Sequence, residues 1–168
     1  MAHNYEYVKG NAAFGVDFPI LEIDIKVTSI KQPQSSCPYK SARQKIYGLG
    51  YSLLVFVYEK FDDVKNHTAC LDIQHTIFID KNRTSDYQTT RGIGEILERD
   101  GNVDDLIAFI QDKNLPIDEI EAKNIAEEIL INHPIQGYLT ISNALQWRLQ
   151  YSRVIQKAGE IEGIHKIR

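Results

Sequence analysis

Four charged side chains lie close together near the start of the chain: Asp17, Glu22, Asp24 and Lys26. The last three alternate with apolar residues over 20–28, so we expect them on one face of a strand. Carboxylate oxygens are the ligands that Mg²⁺ prefers, and waters and a phosphate oxygen usually complete its shell. A lysine beside such an ion stabilises charge that develops on the phosphate. This arrangement predicts metal-assisted phosphodiester hydrolysis.

The same triplet is also typical of an ordinary strand with one solvated face, which is the alternative interpretation. The following sequence favours chemistry, because residues 25–58 contain five basic residues and no acidic one. Basic and hydrogen-bonding side chains of this kind position a nucleic-acid backbone. The expected DNA contacts are Lys31, Gln34, Ser36, Lys40 and Arg43. A polar surface loop is the alternative for this set.

Composition sets limits on the kind of protein. The chain has 168 residues, and 43% of them are hydrophobic, which excludes disorder of the whole chain. Its net charge of −4 does not suggest a nucleic-acid binder. That average conceals an acidic segment, residues 95–130, with eleven acids and three bases, which we expect to point away from DNA. Two separated cysteines, Cys37 and Cys70, form no disulfide or zinc pattern and indicate a reducing, cytoplasmic location. No apolar run approaches the ~20 residues of a membrane span.

The elements that position the acidic cluster alternate between sheet and helix. We predict a mixed sheet from residues 12–28, 51–58 and 68–80, with the middle segment buried on both faces because it is almost continuously apolar. A short helix at 39–47 should pack across this sheet. The remaining segments are predicted to be helices near 90–99, 103–113, 117–132 and 139–158. The fold class is therefore α/β (α+β), as one domain over 1–168 with a sheet-rich catalytic core, 1–80, and a helical part, 81–168.

The last predicted helix, residues 139–158, contains arginine and glutamine side chains interleaved with Trp147 and Tyr151. Such a helix can enter a DNA groove. An amphipathic helix that makes core or dimer contacts has a similar composition. Both interpretations stay open from sequence.

Asp17 followed by Asp24-Ile25-Lys26 resembles the signature of PD-(D/E)xK nucleases, and the order of strand, helix and buried strand over residues 10–80 resembles type II restriction endonucleases of that superfamily. The resemblance implies a restriction-endonuclease-like central sheet, with Asp17 and Asp24 as metal ligands, the Ile25 backbone carbonyl as a further ligand and Lys26 as the catalytic lysine. The spacing of six residues between the two aspartates is short for this superfamily, so Glu22 is the substitute acid if Asp17 is badly placed.

These expectations combine into one functional hypothesis. We predict a magnesium-dependent DNA endonuclease of a restriction system that acts on double-stranded DNA as a homodimer, since one active site cuts one strand at a time. A non-catalytic nucleic-acid-binding or assembly module that retains the fold is the alternative. A nuclease for RNA or branched DNA is a third hypothesis.

Overall fold

The computed structural model describes residues 16–37, 40–142 and 147–168, and within them the fold is mixed α/β, as predicted. The strands are β1 (Ile23–Ser29), β2 (Gln34–Cys37), β3 (Ser52–Asp63), β4 (Thr68–Ile79), β5 (Thr140–Ile141), β6 (Trp147–Gln150) and β7 (Ile164–Lys166). The helices are α1 (Arg43–Tyr47), α2 (Tyr87–Leu97), α3 (Val103–Asp112), α4 (Glu119–Ile131) and α5 (Ser152–Lys157).

The strands form two sheets. The larger has the order β1-β3-β4-β7, in which β1 runs parallel to β3 and the other pairs are antiparallel. This confirms the predicted mixed sheet, although residues 12–15 of its first segment lie outside the described residues. The smaller sheet is antiparallel with the order β2-β6-β5.

The main hydrophobic core joins the two sheets. Leu53, Val55 and Val57 of β3 belong to the same buried cluster as Trp147 and Leu149 of β6. All five are 0% exposed. The inner face of the larger sheet therefore packs against the smaller one, and β3 lies between β1 and β4, as predicted for an interior strand. The predicted burial on both faces holds for one face only, because Leu54, Phe56 and Tyr58 on the other face are half-buried.

The faces of β1 differ from the prediction. Asp24 pairs with Leu53, and Thr28 with Val57, so the polar positions of β1 share the inner face of the sheet. Asp24 and Thr28 are each 4% exposed, whereas Val27 on the other face is 58% exposed. The alternative interpretation, an ordinary strand with a solvated polar face, was therefore wrong. β1 is the edge strand, so its inward side chains lie at the margin of the core, where polar groups find partners in β2.

The helical cluster is a second core. Ala42 and Ile46, in and beside α1, are buried with residues of α2, α3 and α4. The expectation that this helix packs across the sheet was therefore wrong, and residue 39 of its predicted range lies outside the described residues. The three longer helices lie near their predicted ranges: α3 begins at the predicted residue, and α2 and α4 begin within three residues of theirs. Asp86, Asn102 and Asp118 set these starts, because they accept hydrogen bonds from first-turn backbone N–H groups.

The predicted helix over 139–158 is mostly absent in the described residues. Residues 140–141 and 147–150 are strands, and only Ser152–Lys157 is helical, while 143–146 lie outside the described residues. Trp147, Leu149 and Tyr151 are buried at every second position, which is a strand pattern. The part of the chain after residue 80 is therefore not purely helical: β7 pairs with β4 and completes the larger sheet.

Candidate active site

Asp24 and Lys26 form a buried ion pair at the margin of the core. Lys26 Nζ lies 2.7 Å from Asp24 Oδ2, and the two side chains are 20% and 5% exposed, respectively. Among the described residues, no hydrogen-bond donor other than this ammonium reaches Asp24 Oδ2, which is fully shielded from solvent. A buried carboxylate oxygen with one partner has unused capacity to bind a cation.

The pKa of Asp24 lies above its ordinary value. Burial is the main cause, since it disfavours the charged carboxylate, and the nearby Asp17 carboxylate raises the pKa further. Lys26 opposes both effects through its hydrogen bond and charge. Two carboxylates that repel each other in a poorly solvated place are stabilised by a positive ion between them.

Asp17 reaches the same place along the free edge of β1. The chain before β1 folds back, with a 2.9 Å hydrogen bond from Phe18 N to Ile23 O, and Asp17 Oδ2 accepts a 2.7 Å bond from Ile25 N. The N–H and C=O of one strand residue point to the same side, so the Ile25 carbonyl is directed to this edge too. Among the described strands, β1 pairs with β3 on its other side only, so no described strand occupies this edge.

These groups suit a hard divalent cation. Asp17 and Asp24 supply carboxylate oxygens, and Ile25 supplies a carbonyl oxygen at the same edge. The described residues contain no group of three or more histidine, cysteine, aspartate or glutamate side chains that could hold a metal ion. The oxygen donors of Asp17, Asp24 and Ile25 are too few to complete a coordination shell by themselves, and Mg²⁺ commonly completes its shell with waters and a substrate phosphate.

Glu22 does not share the face of Asp24. It precedes β1 in a left-handed backbone conformation, with φ of 53°. Its carboxylate forms a 2.7 Å ion pair with Lys81, and both side chains are at least half exposed. The expectation that Glu22 shares the strand face was wrong, because the 3-10 turn at Pro19–Leu21 ends with a change of direction at this residue.

The wall of the site is formed by residues that the sequence did not indicate. Cys37 Sγ lies 3.7 Å from Tyr51 Oη, and Tyr151 Oη shares a 2.5 Å hydrogen bond with Ser35 Oγ. Burial raises the pKa of the Cys37 thiol and of both tyrosines, and the Asp24 carboxylate raises all three further. These groups are therefore neutral at neutral pH, and they lie near enough to Asp24 for its charge to affect their pKa values.

The predicted DNA contacts are placed in two different ways. Lys31, Ser36 and Lys40 are exposed, and Gln34 is half-buried in β2. Arg43 instead forms a bidentate ion pair with Glu128 of α4 and stacks over the Tyr47 ring at 4.5 Å. Arg43 is thus paired with an acidic helix, although its side chain is 51% exposed.

Another basic residue of the segment 25–58 is buried. Lys45 is 4% exposed, and burial lowers the pKa of its ammonium group. The positive surface of residues 25–58 is therefore smaller than the sequence suggests, and it is concentrated at Lys31 and Lys40.

Comparison with known proteins gives the family. A family model described as type II restriction enzyme NspV matches residues 1–166. A curated protein, the type II restriction enzyme NspV of Nostoc sp. (strain ATCC 29411 / PCC 7524), is 65% identical over 164 residues, which covers 98% of this chain and 74% of that protein. The chain belongs to the NspV family of type II restriction enzymes. No solved structure matches the chain.

Membership of the NspV family decides between the functional hypotheses. The chain is a DNA endonuclease of restriction type, and DNA is its substrate. The non-catalytic module and the nuclease for RNA or branched DNA are therefore disfavoured. Restriction enzymes of this type generally use divalent metal ions, which agrees with the oxygen donors at the edge of β1. No helix in the described part of the chain is long and apolar enough to cross a membrane.

Proposed function

We propose that Asp17, Asp24 and Lys26 form the active site, that this site is of the PD-(D/E)xK type, and that its metal ion is Mg²⁺. The observation that carries the proposal is a chain of contacts: Asp17 accepts a hydrogen bond from the Ile25 amide, the Asp17 carboxylate is near enough to raise the pKa of Asp24, and Asp24 pairs with Lys26. Asp17 and Asp24, with the Ile25 carbonyl, would hold the ion. The ion supplies charge neutralisation at the phosphate and a more acidic water.

In this proposal, Lys26 is the group that acts on the reacting phosphate. Its ammonium is held by Asp24 in a 2.7 Å ion pair, which fixes its direction. Its side chain is 20% exposed, so it borders the opening of the site while Asp24 lies behind it. A fixed ammonium in a poorly solvated place stabilises developing negative charge better than one in water.

Asp24 and the wall around it exclude water from the inner side of the site. Neutral Cys37, Tyr51 and Tyr151 add no charge that would compete with the phosphate. Asp17, on the exposed edge, is the ligand that a DNA strand would approach. We propose that Lys31, Gln34, Ser36 and Lys40 contact the DNA next to this edge.

We propose further that the enzyme acts as a homodimer in the cytoplasm. A symmetric double-strand cut needs two active sites, and two copies supply them. Arg43 remains a candidate DNA contact only if a DNA phosphate replaces Glu128 as its ion-pair partner. Sedimentation of the protein with and without a duplex containing its site tests the dimer, and a monomer in both conditions contradicts it.

Cleavage of plasmid DNA tests the assignment of the site. We expect Mg²⁺ to support cleavage and a chelator to abolish it. Asp24→Asn and Asp17→Asn should each reduce the rate by at least 100-fold, in the range typical for loss of electrostatic stabilisation. Glu22→Gln is the matched control, because it removes an equivalent charge from a nearby exposed position.

Two outcomes would contradict the proposal. If Glu22→Gln loses activity as strongly as Asp17→Asn, the metal is held on the other side of β1. If Asp24→Asn cleaves at the parent rate, the buried ion pair is structural and the active site lies elsewhere.

A further inference from the structure

A separate pocket lies among the helices. It has a volume of about 440 Å³ and is bordered by α2, α3 and α5. Arg91 and Glu95 of α2, Phe109 of α3 with the adjacent Lys113, and Arg153 of α5 line it. None of these residues belongs to the group around Asp24.

Two cations in this pocket lie over aromatic rings. The Arg153 guanidinium carbon is 3.7 Å from the centre of the Tyr87 ring, and Lys113 Nζ is 5.2 Å from the centre of the Phe109 ring. Gly92 permits this arrangement, because a Cβ there would lie 2.4 Å from the Phe109 ring. The rings fix the two cations without neutralising their charge.

Arg153 has one shielded donor without a protein acceptor in the described part of the chain. Its Nε is shielded from solvent, and no acceptor among the described residues bonds to it. The contact that the structure does give its side chain is the stacking on Tyr87. A guanidinium carries five N–H donors and a positive charge, so a half-buried one with no carboxylate partner among the described residues can bind an anionic ligand.

The charge around the pocket is positive. Three cations line it, Arg91, Lys113 and Arg153, against one acid, Glu95. Glu95 is already paired with Arg91 at 2.8 Å, so it does not neutralise Arg153.

We propose that this pocket binds a phosphate group, with Arg153 as the principal donor. A guanidinium matches the geometry of phosphate oxygens, and stacking on an aromatic ring orients its plane. A carboxylate ligand would also complement the positive charge, but a DNA endonuclease encounters phosphate groups in every substrate molecule. Two sources share this chemistry: the backbone of bound DNA outside the cleavage site, and a small free phosphate compound.

Titration calorimetry with chelator present tests the pocket without involving cleavage. The protein should carry Asp24→Asn, so that the candidate metal site is inactive, and the probes are inorganic pyrophosphate and a DNA duplex. Arg153→Gln should weaken at least one probe by about tenfold or more, as expected for loss of a charge-assisted hydrogen bond. Arg153→Lys should weaken it less, because the charge remains. Lys123→Gln, an exposed cation on α4, is the charge-matched control and should change neither.

The two probes distinguish the source. If Arg153→Gln weakens binding of the duplex and reduces the salt dependence of binding by about one phosphate contact, the pocket binds the DNA backbone. A loss for pyrophosphate alone assigns it to a free compound. If neither probe depends on Arg153, or if Lys123→Gln weakens binding equally, the pocket proposal is overturned. Lys113→Gln provides a second test if Arg153→Gln does not fold. Failure of the Asp24 site would leave these results unchanged.

Discussion

Thr28 joins the strand that carries the candidate active site to the strand that carries two proposed DNA contacts. Its hydroxyl donates a 2.9 Å hydrogen bond to Gln34 O and accepts one of 2.9 Å from Gln34 N. Thr28 is 4% exposed, so water does not replace these bonds. Replacement by valine keeps the shape of the side chain and removes both.

The expected loss follows from these contacts. Gln34 N retains a second acceptor, Gln32 O at 2.9 Å, whereas the carbonyl of Gln34 loses a buried donor. One unsatisfied buried group and one weakened bond together predict that Thr28→Val lowers the free energy of unfolding by about 2 kcal/mol. Urea unfolding measures this value, as a lower midpoint with an unchanged slope.

The same change should separate binding from chemistry. We expect weaker duplex binding in Ca²⁺, because β2 and its Gln34 and Ser36 become less well fixed, while bound DNA is cleaved at nearly the parent rate. Thr28→Ser is the control, since it keeps the hydroxyl and loses a methyl group worth about 0.8 kcal/mol. Equal loss of DNA affinity in both variants, or full affinity in Thr28→Val, would refute the role of this hydroxyl.

Two further changes test other parts of the structure. Asp24→Asn should raise the unfolding temperature near neutral pH, because the pKa of Asp24 is raised in the folded protein and ionisation of this carboxyl therefore lowers stability as pH rises. The advantage of the variant should vanish below pH 3.8, the ordinary value for aspartate. A variant less stable than the parent at pH 7 would show that the Lys26 ion pair outweighs burial. Asp86→Ala should lower the free energy of unfolding by about 3 kcal/mol, since it removes the N-cap of α2 and leaves Ile141 N without its 2.8 Å acceptor. Asp118→Ala, which removes a cap on an exposed helix end, should lower it by only about 1 kcal/mol in chemical denaturation, and equal losses would contradict the account of Asp86.

The sequence predicted the elements of the larger sheet better than their orientation. The apolar run at 51–58 and the alternation at 68–80 locate β3 and β4, because side-chain periodicity is a local property. Which face of β1 is buried depends on the smaller sheet. That sheet pairs β2 with β6 across more than a hundred residues, so alternation alone cannot indicate that Asp24 and Thr28 point inward.

In the C-terminal part, the sequence pattern failed to predict the type of element. Trp147, Leu149 and Tyr151 carry a period of two that the sequence displays, but the polar residues between them also fit a helix. Tertiary packing decides for a strand, since all three side chains are 0% exposed against β3 and its neighbours. The pairing of Arg43 with Glu128 depends on how α1 and α4 meet, which no local pattern contains.

The sequence indicated which residues to consider for the candidate site, but not how they are arranged in space. Asp17, Asp24 and Lys26 are readable from spacing and from the resemblance to PD-(D/E)xK nucleases. The exclusion of Glu22 follows from a left-handed residue and an ion pair with Lys81, and both arise from the fold.

The most direct test of the active-site assignment compares cleavage with binding in one variant, Lys26→Ala. We predict that it binds its DNA duplex in Ca²⁺ within about threefold of the parent, since the lysine would act on charge that develops in the transition state, and that cleavage in Mg²⁺ is lost. Lys31→Ala is the matched control, with weaker binding, a flatter salt dependence and normal cleavage of bound DNA. Circular dichroism should confirm that both variants fold. Cleavage by Lys26→Ala at the parent rate would contradict the assignment of Asp17, Asp24 and Lys26 as the active site.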